Sequence, residues 1–458
     1  MAEIAGGSRG VRGVSGAVPV AARRWPLVGH VFSLLRDPHR FMTSLSVRGD
    51  VVCIYLGTLP VYVPTTPELV HQVLATDANK FEKGMLFQRL RPLLGNGLAV
   101  SGGDYYRRQR RLVQPSFQRV RIARYAEIMS ELAGELVSSW KPEQVVGVDR
   151  SMQDLAIAVA GRALFSTDLD TRVTSEIQRS VPVLLQDGSA RALTPKLLEK
   201  LPISWNRRFD EAIGQLRRMV SELVRTMRTD DVRPDDLLSA LISARDEETG
   251  ESMNDQQVLD EVVTLLIAGT QTTALALAWL FHELARHPEV ERRLHAEIDE
   301  VLGGRRRATF DDLPALTYTR QVANEVLRRY APWLLMRRTT EEVALDGLVL
   351  PADTEVAVSP YTLHHDSRYF PEPNRFDPRR WAPDRDAGLP RKAFLPFGSG
   401  LHHCPGHSFA HAEIAITVAT VGSHYKLVPV PGRRVRMKMT AGMPYPSQLA
   451  MRVIPRSR

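Results

Sequence analysis

The stretch Phe397-Gly398-Ser399-Gly400-Leu401-His402-His403-Cys404-Pro405-Gly406 decides the reading of this 458-residue chain. Gly398 and Gly400, with Gly406 behind them, let the backbone turn tightly and approach a neighbour closely. Cys404, one of two cysteines, follows this turn and precedes a helix-patterned run, Ser408 to Thr420. A thiolate beside a helix N-terminus is favoured by the helix dipole and by the backbone N–H groups there. Such a sulfur can bind iron and push electron density toward O–O cleavage. The residues alone leave two other readings open. A buried cysteine can serve packing, and His403, Cys404, His407 and His411 cluster as zinc ligands do, the last two one helical turn apart.

Composition narrows the class. Hydrophobic residues make up 43% and charged residues 24%, enough apolar material for a large folded core. The net charge of +8 is a mild basic excess, compatible with an acidic protein partner or an anionic surface. Zinc-finger spacing and RNA-binding aromatic patterns are missing, so nucleic acid is not expected as a partner. Cys53 lies in the strand-like run Val51-Val-Cys-Ile-Tyr-Leu56 and reads as inert core. Two cysteines make no disulfide framework, which points to a reducing cytoplasm. Residues 1–24 are rich in Gly, Ala and Arg and read as a flexible tail rather than a signal peptide. Val262 to Phe281 is twenty residues without a formal charge, long enough to span a bilayer. Its middle, Gly269-Thr-Gln-Thr-Thr273, is polar, so a helix buried in protein is expected and no transmembrane anchor.

Around these landmarks the pattern is mostly helical. Residues from about 50 to 64 read as a strand pair turning at Gly57. Helical periodicity runs from about 66 to 300, including the segments from Pro67, from Ile122 to Trp140, from Pro234, and from Pro288 to Leu302. After Tyr330, short strands alternate with Pro-rich loops until the helix behind Cys404. Without repeats or an internal linker, this predicts a mainly α fold with minor β, one large domain over 25–458.

The glycine–cysteine stretch resembles the haem-binding pattern of the cytochrome P450 family, Phe-Gly-x-Gly-x-(Arg/His)-x-Cys-x-Gly, at every defined position. The resemblance implies a P450 fold around a haem, with Cys404 as axial ligand to the iron. It implies that His402 contacts a haem propionate, that Phe397 lies on the thiolate side, and that Gly398 and Gly406 shape the cradle. Glu325-Val-Leu-Arg328 would by itself be an ordinary pair at i, i+3. It resembles the family's Glu-x-x-Arg motif because it stands 79 residues before the cysteine. Pro373-Asn-Arg-Phe376 resembles the family's Pro-x-Arg-Phe motif, which implies that Arg375 joins Glu325 and Arg328 in a structural charge triad. Tyr106 and Arg110 fall where the family often has Trp or His followed, four positions on, by Arg; a propionate contact is implied for both. Arg337 occupies the place of another propionate-binding arginine, with Arg338 as its rival.

Ala268-Gly269-Thr270-Gln271-Thr272-Thr273 resembles the family's oxygen-activation pattern (Ala/Gly)-Gly-x-(Asp/Glu)-Thr-(Thr/Ser). The resemblance implies that Ala268 and Gly269 leave room for dioxygen and that Thr272 helps deliver protons. Gln271 departs from the pattern. An amide does not exchange a proton as a carboxylate does, though it can orient water. Slower proton delivery, a relay through another acid or a substrate hydroxyl, or a reaction other than simple hydroxylation would each follow. Threonine hydroxyls in a helix can also simply bond back to its carbonyls.

The segments that line the substrate pocket in the family are apolar here: Met85 to Phe87, Leu90, Leu265, Trp333 to Met336, and Ala441 to Tyr445. A small apolar substrate is therefore expected. The texture is similar to soluble bacterial, actinomycete-type P450s that oxidise terpenes. The implied activity is a haem b monooxygenase that inserts one oxygen atom of O2, fed with electrons from NAD(P)H through ferredoxin and ferredoxin reductase. Arg107, Arg108, Arg111, Arg391 and Lys392 would meet the acidic partner. A monomer is expected. Desaturation, rearrangement or coupling on the same fold is the alternative that Gln271 motivates.

Overall fold

The computed structural model describes residues 18–456, except 166–170, 194–202, 230–235, 305–306, 333, 387–390 and 441–442. Most of the tail, along with Pro234, Trp333, Ala441 and Gly442, lies outside the described residues. The chain groups into two compact units.

The first unit gathers Met1–Gln88, Pro332–Asn374 and Pro390–His403. Its frame is a five-stranded sheet of β1 (Val51–Leu56), β2 (Leu59–Pro64), β3 (Phe81–Lys83), β4 (Leu335–Thr339) and β5 (Glu355–Val358), in the order β1-β2-β5-β4-β3. β1 and β2 form the expected hairpin, in register from Val51↔Pro64 to Leu56↔Leu59. Gly57 takes φ +67° in its turn, a conformation that a Cβ disfavours. The β2–β5 pair is parallel and the remaining pairs are antiparallel. Val51, Cys53, Val356, Val358 and Leu363 lie in its apolar core. Burial there raises the Cys53 thiol pKa to about 11, so this cysteine stays protonated and inert.

The second unit, Arg89–Ala331, Arg375–Leu389 and Cys404–Arg458, is mainly helical. Its principal helices are α1 (Gly103–Val113), α2 (Arg119–Ser139), α3 (Val148–Phe165), α4 (Thr171–Leu193), α5 (Ser204–Thr229), α6 (Asp255–Arg286), α7 (Pro288–Leu302), α8 (Thr317–Arg329) and α9 (His407–His424). Strands Val145–Gly147, Ala450–Pro455 and Tyr425–Pro429 make a small sheet beside them.

α6 is the axis of this unit. A reciprocal cap starts it: Gln257 N donates to Asn254 Oδ1 at 2.9 Å, and Asn254 N donates to Gln257 Oε1 at 2.9 Å. Arg286 in its last turn suits the negative end of the dipole. The helix packs against α3, α5, α8 and α9. It is the one described helix long and apolar enough to cross a bilayer, and 67% of its apolar window is buried inside the protein.

Candidate active site

Cys404 lies three residues before the first turn of α9, and its side chain is half-buried. Gly400 has φ +62°, and a Cβ there would come within 2.0 Å of the Leu74 carbonyl oxygen, so no other residue fits. A Cβ at Gly406 would sit 4.0 Å from the Cys404 sulfur and 3.6 Å from a Phe117 ring carbon. Gly398 also turns through positive φ, +71°. The glycines thus shape the backbone on both sides of the sulfur.

The zinc reading finds no support in the geometry. The His407 ring Nδ1 is 3.2 Å from the Cys404 carbonyl oxygen, and its Nε2 is 3.1 Å from Ser408 Oγ. Burial lowers the pKa of His411 to about 4, and His407 adds to the shift. Among the described residues, no three His, Cys, Asp or Glu side chains converge as a metal site would require.

On α6, Ala268 and Thr272 are exposed although the flanking residues Leu266, Ile267, Thr270, Thr273 and Ala274 are buried. Residues four apart share one helix face. The middle of a buried helix therefore carries one open stripe, with Leu265 half-buried at its upper end. A Cβ on Gly269 would meet nothing within 4 Å. Thr272 Oγ1 donates to the Ala268 carbonyl at 2.8 Å, and Thr270 Oγ1 to the Ile267 carbonyl at 3.3 Å. Back-bonding is thus real, yet it uses only the hydroxyl proton of Thr272 and leaves its oxygen able to accept. Gln271 is half-buried beside it.

A buried acid on α9, the helix packed against α6, was not singled out by sequence. Glu413 on α9 is 1% exposed. Burial pushes its pKa up to about 8, and the Thr273 hydroxyl nearby opposes the shift. Asp260 and Glu261, on the first half of α6, also escaped notice. Asp260 accepts from Asn96 N at 2.8 Å and pairs with Arg217, while Glu261 accepts from Leu98 N at 3.0 Å and from Gln109 Nε2 at 3.2 Å. Together they staple the turn at 95–98 to α6. Two adjacent acids opening an apolar helix were the available signal.

Tyr106 is buried and Arg110 half-buried, four residues apart on α1. Its other arginines are ion-paired: Arg108 with Glu251 at 3.3 Å, Arg111 with Asp246 and Glu248, each at 2.9 Å, and Arg107 with Asp104. In the first unit, Arg337 is 4% exposed and its Nη1 donates to the Met336 carbonyl at 2.9 Å. Arg338 is engaged by Glu355, with Nε at 2.9 Å and Nη2 at 2.8 Å from Oε1. Phe397 and His402 are half-buried.

Glu325 and Arg328 on α8 are both fully buried and joined by two bonds. Glu325 also accepts from Asp377 N at 3.1 Å, Trp381 Nε1 at 3.1 Å and Arg380 Nε at 3.4 Å. Arg375 takes part through its carbonyl, which accepts from Arg328 Nη2 at 3.5 Å. Arg380 and Trp381 are the partners that sequence did not name.

The donor set fits a haem. It offers one half-buried sulfur at a helix start, an open Ala-Gly-Thr stripe on a buried helix, and cationic and phenolic side chains suited to carboxylates.

Comparison with known proteins agrees. The family model for cytochrome P450 matches residues 19–451. Cyclooctatin synthase of Streptomyces melanosporofaciens is 42% identical, over 96% of this chain and 95% of the relative. The cyclooctat-9-en-7-ol 5-monooxygenase of the same organism is 44% identical over 89% of each chain, and the pentalenene oxygenase of Streptomyces avermitilis 36% identical over 97% and 98%. The fold matches the crystal structure of cytochrome P450DA heme domain with a TM-score of 0.84, at 24% identity, over 96% of this chain and 98% of that one. With the pattern around Cys404 matched and these relatives aligned along almost its whole length, the chain belongs to the cytochrome P450 family and is a monooxygenase that uses haem iron and O2.

Proposed function

We propose that the protein inserts one oxygen atom of O2 into a small apolar terpenoid, at the stripe of α6 marked by Ala268 and Thr272. The observation that carries this reading is the exposure of those two residues in the middle of an otherwise buried helix. The names of the Streptomyces relatives, pentalenene oxygenase among them, support the substrate class. Cys404 would hold the haem iron, and Tyr106, Arg110, Arg337 and His402 would hold the propionates. Phe397, Gly398 and Gly406 would shape the backbone about the sulfur. When bound, the haem supplies the redox chemistry that activates O2.

The protein's own residues then do three things. Ala268 and Gly269 keep the stripe low enough for a small molecule to approach. Thr272 presents a hydroxyl oxygen there, and Gln271 orients water beside it. Arg338 is committed to Glu355, which favours Arg337 as the propionate partner.

Electrons would come from NAD(P)H through ferredoxin and ferredoxin reductase. Of the cations expected to face that partner, Arg107, Arg108 and Arg111 have acids of their own, so exposed Arg391 and Lys392 are the stronger candidates. In this reading residues 25–458 work as one haem-binding domain, as a monomer in the cytoplasm. Turnover with a surrogate ferredoxin system, terpene hydrocarbons and labelled dioxygen tests it: one labelled oxygen atom appears in the product. A product without label would favour desaturation, rearrangement or coupling, the reading that Gln271 keeps alive.

A further inference from the structure

We propose that the segment from Arg23 to Arg40 is a docking face for an anionic lipid surface, on which the enzyme rests without crossing it.

Among the described residues, ten large hydrophobic side chains are exposed, and five of them lie between 25 and 35: Trp25, Leu27, Val28, Phe32 and Leu35. Leu27 is 85% exposed, Leu35 71%, Trp25 55% and Phe32 54%. Apolar side chains scattered singly over a surface are ordinary, whereas a cluster of them marks a contact. Here the Trp25 and Phe32 rings meet edge to face, with centroids 6.3 Å apart. Phe32 and Leu35 stand three apart on the short helix Val31–Arg36, so they are neighbours on its surface. That helix buries none of its residues, so packing against the core does not explain its leucines and phenylalanine.

The face is firmly built. Trp25 N donates to the Gly29 carbonyl at 2.9 Å, and Gly29 N donates back to the Trp25 carbonyl at 3.0 Å. Behind them His30 is buried; its backbone N donates to the Tyr55 carbonyl at 2.7 Å, and its Nδ1 accepts from Tyr55 N at 2.8 Å. A Cβ at Gly29, where φ is +62°, would lie 2.3 Å from the Tyr55 carbonyl oxygen, so the turn is pinned closely to β1. At its tip Leu27 takes φ +60°, which a bulky side chain rarely adopts. The fold thus holds a leucine out into solvent in a conformation that disfavours it, and such strain marks functional positions.

The charge pattern names the partner. From 23 to 40 the chain carries four arginines and one acid. Arg23 and Arg24 stand before the apolar centre and Arg36 and Arg40 after it, all exposed. The acid, Asp37, caps the next helix, its Oδ1 accepting from Arg40 N at 3.1 Å. A projecting apolar tip needs a medium that it can enter, and acyl chains provide one without a matching pocket. Anionic headgroups then meet the arginines around it. Tryptophan and long cationic side chains both favour that boundary.

The test is co-sedimentation of the haem-loaded full chain with vesicles, one set of phosphatidylcholine alone and one of phosphatidylcholine with phosphatidylglycerol. The wild type is expected to bind the anionic vesicles at least about tenfold more tightly than the neutral ones, and to lose that preference in high salt. Leu27→Asn and Phe32→Ser are each expected to weaken binding about threefold to tenfold. Asparagine accepts the left-handed conformation, so Leu27→Asn keeps or raises the melting temperature and keeps the haem absorption spectrum while it loses lipid. Arg36→Gln combined with Arg40→Gln reduces the preference for anionic lipid. A wild type that ignores anionic vesicles, or binding that Leu27→Asn and Phe32→Ser both leave intact, overturns the proposal. So does a dimer in sedimentation velocity that both substitutions disperse, which would assign the face to a second copy of the chain. None of these readouts uses turnover, so this face and the proposed reaction stand or fall separately.

Discussion

Arg328 forks onto Glu325, with Nε 2.9 Å from Oε2 and Nη2 2.9 Å from Oε1, and both side chains are fully buried on α8. Each remaining lone pair of the carboxylate is met from the segment that follows Arg375, through Asp377, Arg380 and Trp381. Removing one partner of a buried pair leaves the other charge without compensation, at a cost of about 3–5 kcal/mol. Glu325→Gln is predicted to lower unfolding stability by that amount. Arg380→Ala, which breaks the longer bond, costs about 1 kcal/mol. Denaturant unfolding of both variants checks the order.

Glycine substitutions separate stability from turnover. A Cβ at Gly97 would lie 2.0 Å from Thr264 Oγ1, whereas one at Gly269 would meet nothing within 4 Å. Gly97→Ala is expected to destabilise by about 1–3 kcal/mol through overpacking. Gly269→Ala gains up to about 1 kcal/mol in helix propensity, yet fills the open stripe. Its melting temperature is predicted to hold or rise while product formation falls.

Glu261 gives a pH signature. Burial raises its pKa from 4.5 to about 8, against the hydrogen bonds from Leu98 and Gln109. The folded state therefore holds a proton that the unfolded chain releases, and stability falls as pH rises through the window from 4.5 to about 8. In Glu261→Gln this group no longer titrates. Unfolding midpoints of the variant are expected to fall less across that window than those of the wild type. Parallel curves would mean that Glu261 is ionised in the fold.

The neighbouring arginines Arg337 and Arg338 have opposite assignments. Arg338 is paired with Glu355, which also accepts from Met85 N at 3.0 Å and 3.1 Å. Arg338→Gln is predicted to loosen the Met85 segment and retain haem. Arg337→Gln is predicted to lower haem content at similar stability. Haem transfer to apomyoglobin, read by absorption, distinguishes the two.

Much of this was legible in the sequence because it depends on local spacing. The hairpin at Gly57, the buried apolar helix around Gly269, and the glycine turn before Cys404 follow from residues close together in the chain. What was hidden depends on contacts between distant segments. Nothing local to Glu413 says that it will be buried on α9, and nothing in Arg380 or Trp381 says that both reach back to Glu325. The basic cluster on α1 shows the same limit: sequence offers Arg108 and Arg111 to an acidic partner, and only the fold reveals their ion pairs with Glu251, Asp246 and Glu248. Position in a motif pointed to Ala268 and Thr272, but their exposure within a buried helix needed the tertiary structure.

Cys404 is proposed to deliver a thiolate to haem iron. The most direct measurement is the absorption spectrum of the reduced, carbon monoxide-bound protein, with Cys404→Ala beside it. A Soret band red-shifted to the thiolate position is expected in the wild type and is lost in the variant. A wild-type band at the position of histidine-ligated haem in folded protein, or a thiolate band that survives in Cys404→Ala, would contradict it.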